Sequence, residues 1–323
     1  MIMNELRSKI MTRNIDLKSA LIMIIKIVIS LASLTFITHT VDWAEMGKVL
    51  LQAQINWIYL ALLIFWVAQV FSAIRCKYIA CVLGGTISLQ TSLKAHFVGL
   101  WFNQVLPTSL GGDVIKIAIL KRTIGLSIAI RSTLLDRVSG LMFLLLVVSL
   151  TLPFYFDIFS HQPEISLALG VFSLASLVGI ILFSWFSHNR QKSRTLHSII
   201  QKLIQFFADI ARFRFRGVLW QQFWTSAIVH FNGIIAYSLL GLAMGVDIDP
   251  LTLLLIVPLV FLIALLPISF AGWGLREAGA IWLFGMVGVT SEIALAMSII
   301  FGLLLIVAAL PGLLIFIYKP SSD

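Results

Sequence analysis

The chain has 323 residues, 60% of them hydrophobic and 11% charged, with a mean hydropathy of +1.03. Soluble domains carry about 25% charged residues, so this composition excludes a water-soluble enzyme folded round one core. Gly (21) and Pro (8) are at ordinary levels, which excludes a fibrous or disordered chain. Long apolar runs without period-two alternation exclude an outer-membrane barrel and leave an all-α polytopic membrane protein. The net charge of +9 comes from loop residues, where it sets topology and meets anionic headgroups. No nucleic-acid recognition fold can be built from these loops. Cys76 and Cys81 give neither a disulfide framework nor a zinc site and read as packing residues; no metal or cofactor is expected.

A basic N-terminus (Arg7, Lys9, Arg13, Lys18) leads into an apolar run from Leu21 to Phe36. No small-x-small cleavage site follows, so the run reads as an uncleaved first transmembrane helix. The weakly acidic loop of Asp42, Glu45 and Lys48 then faces outward. A second span, Trp57 to Ile74, ends in Arg75 and Lys77, taken as cytoplasmic markers. In residues 91–122, two pieces, Leu93–Leu106 and Val114–Leu120, flank Pro107-Thr108-Ser109-Leu110-Gly111-Gly112. Each is too short to cross a core of about 30 Å at about 1.5 Å per residue. With Lys94 at one end and Lys121 and Arg122 at the other, the pattern predicts a re-entrant hairpin entered from the cytoplasm.

A long segment from Leu126 to Phe156 goes outward, and Ile165 to Phe186 returns. Residues 188–217 carry seven cations against Asp209, with apolar residues at helical spacing from Ile199 to Phe213. This is a basic, cytoplasmic, amphipathic segment: a topology anchor on the inner leaflet, or a regulatory or substrate-recruiting element. A fifth span, Val218 to Met244, exits at Asp247 and Asp249; residues 250–287 then repeat the broken pattern around Pro267, either as a second hairpin or as two full spans. The last span, Ala294 to Ile317, ends at Lys319. Both termini are thus expected in the cytoplasm. The expected architecture is about six full transmembrane helices and two broken hairpins, in a single membrane domain spanning 1–323 and embedded over about 18–318.

Leu106-Pro107-Thr108-Ser109-Leu110-Gly111-Gly112 aligns without gaps with Leu266-Pro267-Ile268-Ser269-Phe270-Ala271-Gly272. Charges follow each: Asp113 and Lys116 after the first, Arg276 and Glu277 after the second. Two broken elements of opposite orientation are the signature of an inverted-repeat transporter. Broken helices leave backbone groups unpaired unless they line a polar cavity. The half-helix N-termini near Gly112 and Gly274 would present N–H groups to an anion, with Ser109 and Ser269 as caps or headgroup ligands. Glycines let the backbone approach a ligand, and Pro107 and Pro267 fix the breaks.

Charges inside a membrane cost about 2.5–3.5 kcal/mol each on insertion scales, so they are paired or functional. The candidates are Asp113, Lys116, Arg131, Asp136, Arg137, Arg276 and Glu277, with Asn103 and Gln104 one turn before the first break. A structural reading pairs Asp113 with Lys116 and Asp136 with a neighbouring arginine. Arg276 and Glu277, adjacent in sequence, project about 100° apart and are expected to need different partners. His230 and Asn232 read as interhelical contacts.

Phe102-Asn103-Gln104-Val105-Leu106-Pro107-x-Ser109-x-Gly111-Gly112-Asp113-Val114-x-Lys116 and Leu266-Pro267-Ile268-Ser269-x-x-Gly272-x-Gly274-x-Arg276-Glu277-Ala278 resemble the flippase-like family formed by the transmembrane region of lysylphosphatidylglycerol synthases and similar proteins. The resemblance runs over about residues 18–318. Lys116 stands where the family more often has Arg, which keeps the charge but loses the bidentate fork. Ala271 and Trp273 also depart from the usual residues. The soluble aminoacyl-transferase domain of the full synthases is missing, so the chain is expected not to be an enzyme that makes lysylphosphatidylglycerol.

The resemblance implies a translocator of lipids such as aminoacylated phospholipids, polyprenyl-linked sugars or hopanoid-type lipids. The expected function is movement of an anionic or phosphate-bearing lipid between leaflets of a bacterial-type inner membrane. Its substrate-binding set is Asn103, Pro107, Ser109, Gly111, Gly112, Asp113, Lys116, Arg131, Asp136, Arg137, Pro267, Ser269, Gly272, Gly274, Arg276 and Glu277. The alternatives are a small-anion transporter and a non-transporting partner of a lipid-modifying enzyme. Expected partners are membrane lipids and a separate lipid-modifying or glycosyltransferase enzyme.

Overall fold

A computed structural model describes residues 17–106, 111–151, 153–154, 163–164, 167–175, 178–179, 218–266 and 272–318. Its regular elements are helices: α1 (Leu17–Thr40), α2 (Trp43–Leu51), α3 (Ile55–Val82), α4 (Leu89–Val105), α5 (Gly111–Leu150), α6 (Val218–Ala243), α7 (Pro250–Leu265), α8 (Leu275–Gly285) and α9 (Ser291–Ile317). Four of these, α3, α5, α6 and α9, are long and apolar enough to cross a membrane. The chain is a multi-pass membrane protein. The span expected over 165–186 is described only at 167–175 and 178–179, where it is helical. The basic stretch 188–217 lies outside the described residues.

Three features differ from the expectation. The segment around Glu45 and Lys48 is a helix, α2, capped by Asp42 Oδ1 accepting from the N–H groups of Ala44 (2.9 Å) and Glu45 (3.2 Å). The expected short piece Val114–Leu120 lengthens to residues 111–124, where a kink at Gly125 separates it from the helix that runs on to Leu150. Gly125 has φ 76° and ψ 157°, a backbone region essentially closed to other residues, so one glycine does the work of a loop. The span ending at Ile74 runs on to Val82, which carries Arg75 into the helix interior.

The ends of several elements meet. Gln54 N–H donates to Ala243 O (2.9 Å), joining the start of α3 to the end of α6, and Asp42 N–H donates to Glu292 Oε1 (3.1 Å), joining the start of α2 to α9. Asp249 Oδ2 caps α7 by accepting from Thr252 N–H (3.0 Å), with Pro250 opening the helix.

Between such helices the hydrophobic effect is weak, and close packing takes over. The main core lies among α3, α6, α7, α8 and α9, where Tyr237, Ile256, Phe284 and Phe301 are buried. Phe301 meets Phe65 edge-on at 4.8 Å and stacks on Tyr237 at 4.7 Å; such pairs add about 0.5–1.5 kcal/mol each beyond burial. Glycine sets the closest approaches. A Cβ on Gly112 would strike the Gly99 carbonyl, and one on Gly312 would strike that of Phe97. A smaller core of Cys76, Ala80, Ala95, Leu120 and Ile124 holds α3, α4 and α5 together, and places Cys76 as the packing residue it was expected to be.

Candidate functional site

Two groups of buried charge occupy the bundle. In the first, Asp136 on α5 accepts from two cations. Arg75 Nε of α3 lies 2.7 Å from Oδ1, and Lys116 Nζ lies 2.8 Å from Oδ2. All three are at most 6% exposed. Arg75 Nη1 also donates to Ser226 Oγ of α6 at 3.1 Å. Arg75 and Lys116 therefore share one carboxylate, and this group holds one positive charge in excess. Beside it, in a half-buried position, Arg137 Nε pairs with Asp113 Oδ2.

These pairings replace the expected ones. Asp113 and Lys116 do not form an i, i+3 pair: the kink at Gly125 brings residues of the second half of α5 back against the first, and each takes a partner there. Asp136 pairs with Arg75, not with Arg137. Arg75 is the residue that sequence reasoning missed, having been assigned to the membrane edge. The one available signal was that the apolar run continues beyond it through Ile79, Ala80 and Cys81.

The second group sits at the start of α8. Arg276 Nη2 lies 2.5 Å and Nε 3.0 Å from Glu277 Oε1, and both side chains are under 5% exposed. The two residues thus pair with each other, against the expectation of separate partners. Glu277 is the third residue of the helix, and its side chain folds back so that Oε2 accepts the Gly274 N–H at 2.6 Å. That places Oε1 within reach of the guanidinium. Ser298 Oγ of α9 accepts from Arg276 Nε at 3.3 Å, and the Trp273 ring lies 4.9 Å from the guanidinium carbon. This last contact is a cation–π arrangement. Gly274 has φ 85°, which only glycine adopts without strain.

The N–H groups expected to be open to an anion are engaged. Gly112 N–H donates to Asn103 Oδ1 at 2.8 Å, and Gly274 N–H donates to Glu277. The protein's own side chains hold these helix starts, because a buried N–H left unpaired in hydrocarbon costs several kcal/mol, of order 2–7. Gly111 packs on Leu106 and Gly272 lies beside Ala264. Arg131 Nε donates to Ser127 O of its own helix at 3.4 Å. Pro107, Ser109, Pro267 and Ser269 lie outside the described residues.

A cavity of about 340 Å³ lies between α3, α6, α7 and α9. Arg276 lines it, with Gly272 beside it, and Gln69, His230 and Asn232 supply polar groups from α3 and α6. Gln69 Oε1 is bonded to His96 Nε2 (3.0 Å), and Asn232 Nδ2 donates to Ile228 O of its own helix (2.6 Å). Asn232 is therefore not the interhelical contact expected. His230 joins the cavity to the first charge group: a Cβ on Gly140 would lie 3.5 Å from Arg75 Nη1 and 3.6 Å from His230 Nε2. Leu265 lines both this cavity and an apolar groove of about 600 Å³ between α5, α7 and α8. Glu277 and Gly274 line a second groove, about 440 Å³, against α1 and α9. The arrangement is a cation-bearing chamber flanked by apolar grooves.

No curated protein matches the chain. The family described as the lysylphosphatidylglycerol synthase TM region matches residues 23–312, nearly the whole length and both charge groups, and the chain belongs to that family.

Proposed function

We propose that the protein moves an anionic or phosphate-bearing lipid between the leaflets of a bacterial-type inner membrane, as a transporter and not an enzyme. The observation that carries this reading is Arg276 on the wall of a cavity that His230 and Asn232 also line. The unbalanced cation of the Arg75–Lys116–Asp136 group, behind His230, adds to the positive field there. The cavity, about 340 Å³, has room for a headgroup and some of its hydration. The apolar groove meeting it at Leu265 gives the chains a path along the bilayer, which favours a lipid over a free small anion.

In this reading α4 with the first part of α5, and α7 with α8, are re-entrant hairpins of an inverted repeat. Two facts support it. Each is a helix–break–helix element with its arms in contact, Gly99 on Gly112 in one and Gly279 on Ile263 in the other. The breaks also carry the recurring Leu-Pro-x-Ser sequence. The ends joined by Asp42–Glu292 and Gln54–Ala243 then face outward, and both termini lie in the cytoplasm. Transport runs downhill by rocking of one hairpin against the other, and a separate lipid-modifying enzyme supplies the substrate.

Native mass spectrometry of the full chain in mild detergent tests the headgroup site, with wild type compared against R276A and R276K. One anionic lipid class should be retained by wild type, weakened in R276K and lost in R276A. Equal retention of bulk phospholipid in all three would remove the site.

A further inference from the structure

A second cavity, about 360 Å³, lies between α5 and α6 and is lined by Ser139, Met142, Phe143, Trp220, Gln222 and Ser226, among others. Gln222 is only 6% exposed, yet neither its Nε2 nor its Oε1 has a hydrogen-bond partner. A buried carboxamide with both a donor and an acceptor unmet is costly, and such groups ordinarily mark a missing partner. Among the described residues, no ionised side chain lines the cavity. Arg75 stands behind the wall, its Nη1 donating to the Oγ of Ser226, which lines the cavity, and its Nε to Asp136. The rest of the wall is aromatic and aliphatic. Phe143 closes the side toward the central cavity by stacking on His230, with centroids 5.6 Å apart.

We infer that this cavity binds a neutral lipid through a hydroxyl headgroup, a lipid of the diacylglycerol or long-chain-alcohol class. A hydroxyl both donates and accepts, so one group satisfies Oε1 and Nε2 together, whichever way the amide is turned. A fully ionised phosphate, which offers acceptors alone, leaves Oε1 unmet and brings charge to a wall that has no ionised side chain among its described residues. The apolar remainder of the cavity takes the chain. The site is separate from the Arg276 cavity and selects for the opposite headgroup character, so its failure leaves the transport reading standing.

The test uses the full chain in nanodiscs with diazirine-bearing diacylglycerol and diazirine-bearing phosphatidic acid as probes, the adducts being mapped by peptide mass spectrometry. The diacylglycerol should label the segments holding Met142–Leu146 and Trp220–Ser226. Q222L should lower that labelling at least about fivefold, a change of about 1 kcal/mol in binding. The same substitution should raise the melting temperature of the lipid-depleted protein, since it removes the unmet amide. A wild-type competition covers the case of a poorly folded variant: unlabelled diacylglycerol should displace the probe, and unlabelled phosphatidic acid should not. Labelling of these segments that is insensitive to Q222L, or displaced equally by phosphatidic acid, overturns the proposal.

Discussion

Arg276 and Glu277 are successive residues of one helix and each other's ion-pair partner, with Arg276 Nη2 2.5 Å from Glu277 Oε1. The second carboxylate oxygen holds the Gly274 N–H at 2.6 Å. One side chain thus caps α8 and neutralises the cation that faces the central cavity. On the proposed function, a headgroup arriving there would compete with Glu277 for Arg276 without having to move a helix.

Breaking this pair should cost more than deleting it. E277Q retains an acceptor for Gly274 N–H but leaves Arg276 buried and unpaired, and should destabilise the protein by about 3–5 kcal/mol. The double variant R276M/E277Q should recover most of that stability while losing lipid transfer. Thermal unfolding in detergent, alongside transfer in vesicles, separates the two effects.

The first charge group has its own asymmetry. D136N strands two cations, Arg75 and Lys116, whereas K116M leaves the Arg75–Asp136 pair intact and balanced. D136N should therefore be the more damaging, by at least about 2 kcal/mol, within the range for stranding a buried charge. D113N breaks the half-exposed pair with Arg137 and should cost no more than about 1 kcal/mol. Unfolding midpoints of the three variants in one detergent check the order.

Gly302 offers a way to displace Arg276 without changing its chemistry. A Cβ there would meet Arg276 Nη2 and would lie 2.8 Å from the Trp273 ring edge. The guanidinium is the movable end of a long side chain, but the Trp273 ring must give as well, so G302A should shift Arg276 and lower the melting temperature. Lipid transfer should fall about tenfold, the effect of about 1.4 kcal/mol. Full transfer by a stable G302A would show that the position of Arg276 is immaterial.

The long apolar runs that fixed the membrane class also located α3, α6 and α9, because a bilayer demands length and hydrophobicity that a sequence displays directly. The recurring Leu-Pro-x-Ser frame located the two breaks. Pairing was another matter. Arg75 read as a membrane-edge marker, since its ion pair depends on a residue 61 positions away. Gly125 drew no reading from the sequence, although the kink at its positive φ lets Arg137 reach Asp113. The Arg276–Glu277 pair contradicts the simple 100° rule, because long side chains bend where a capping interaction turns one of them. Gln222 gave no signal at all: an unmet amide is visible only once its surroundings are known.

The most direct test of the central claim is leaflet transfer in vesicles reconstituted with the full chain, read by chemical quenching of a fluorescent phosphatidylglycerol and a fluorescent phosphatidylcholine. Wild type should move the phosphatidylglycerol faster than protein-free vesicles and faster than the phosphatidylcholine, and R276K should reduce that preference while remaining folded. Transfer of both lipids at the protein-free rate, or an identical preference in R276K, would contradict the account.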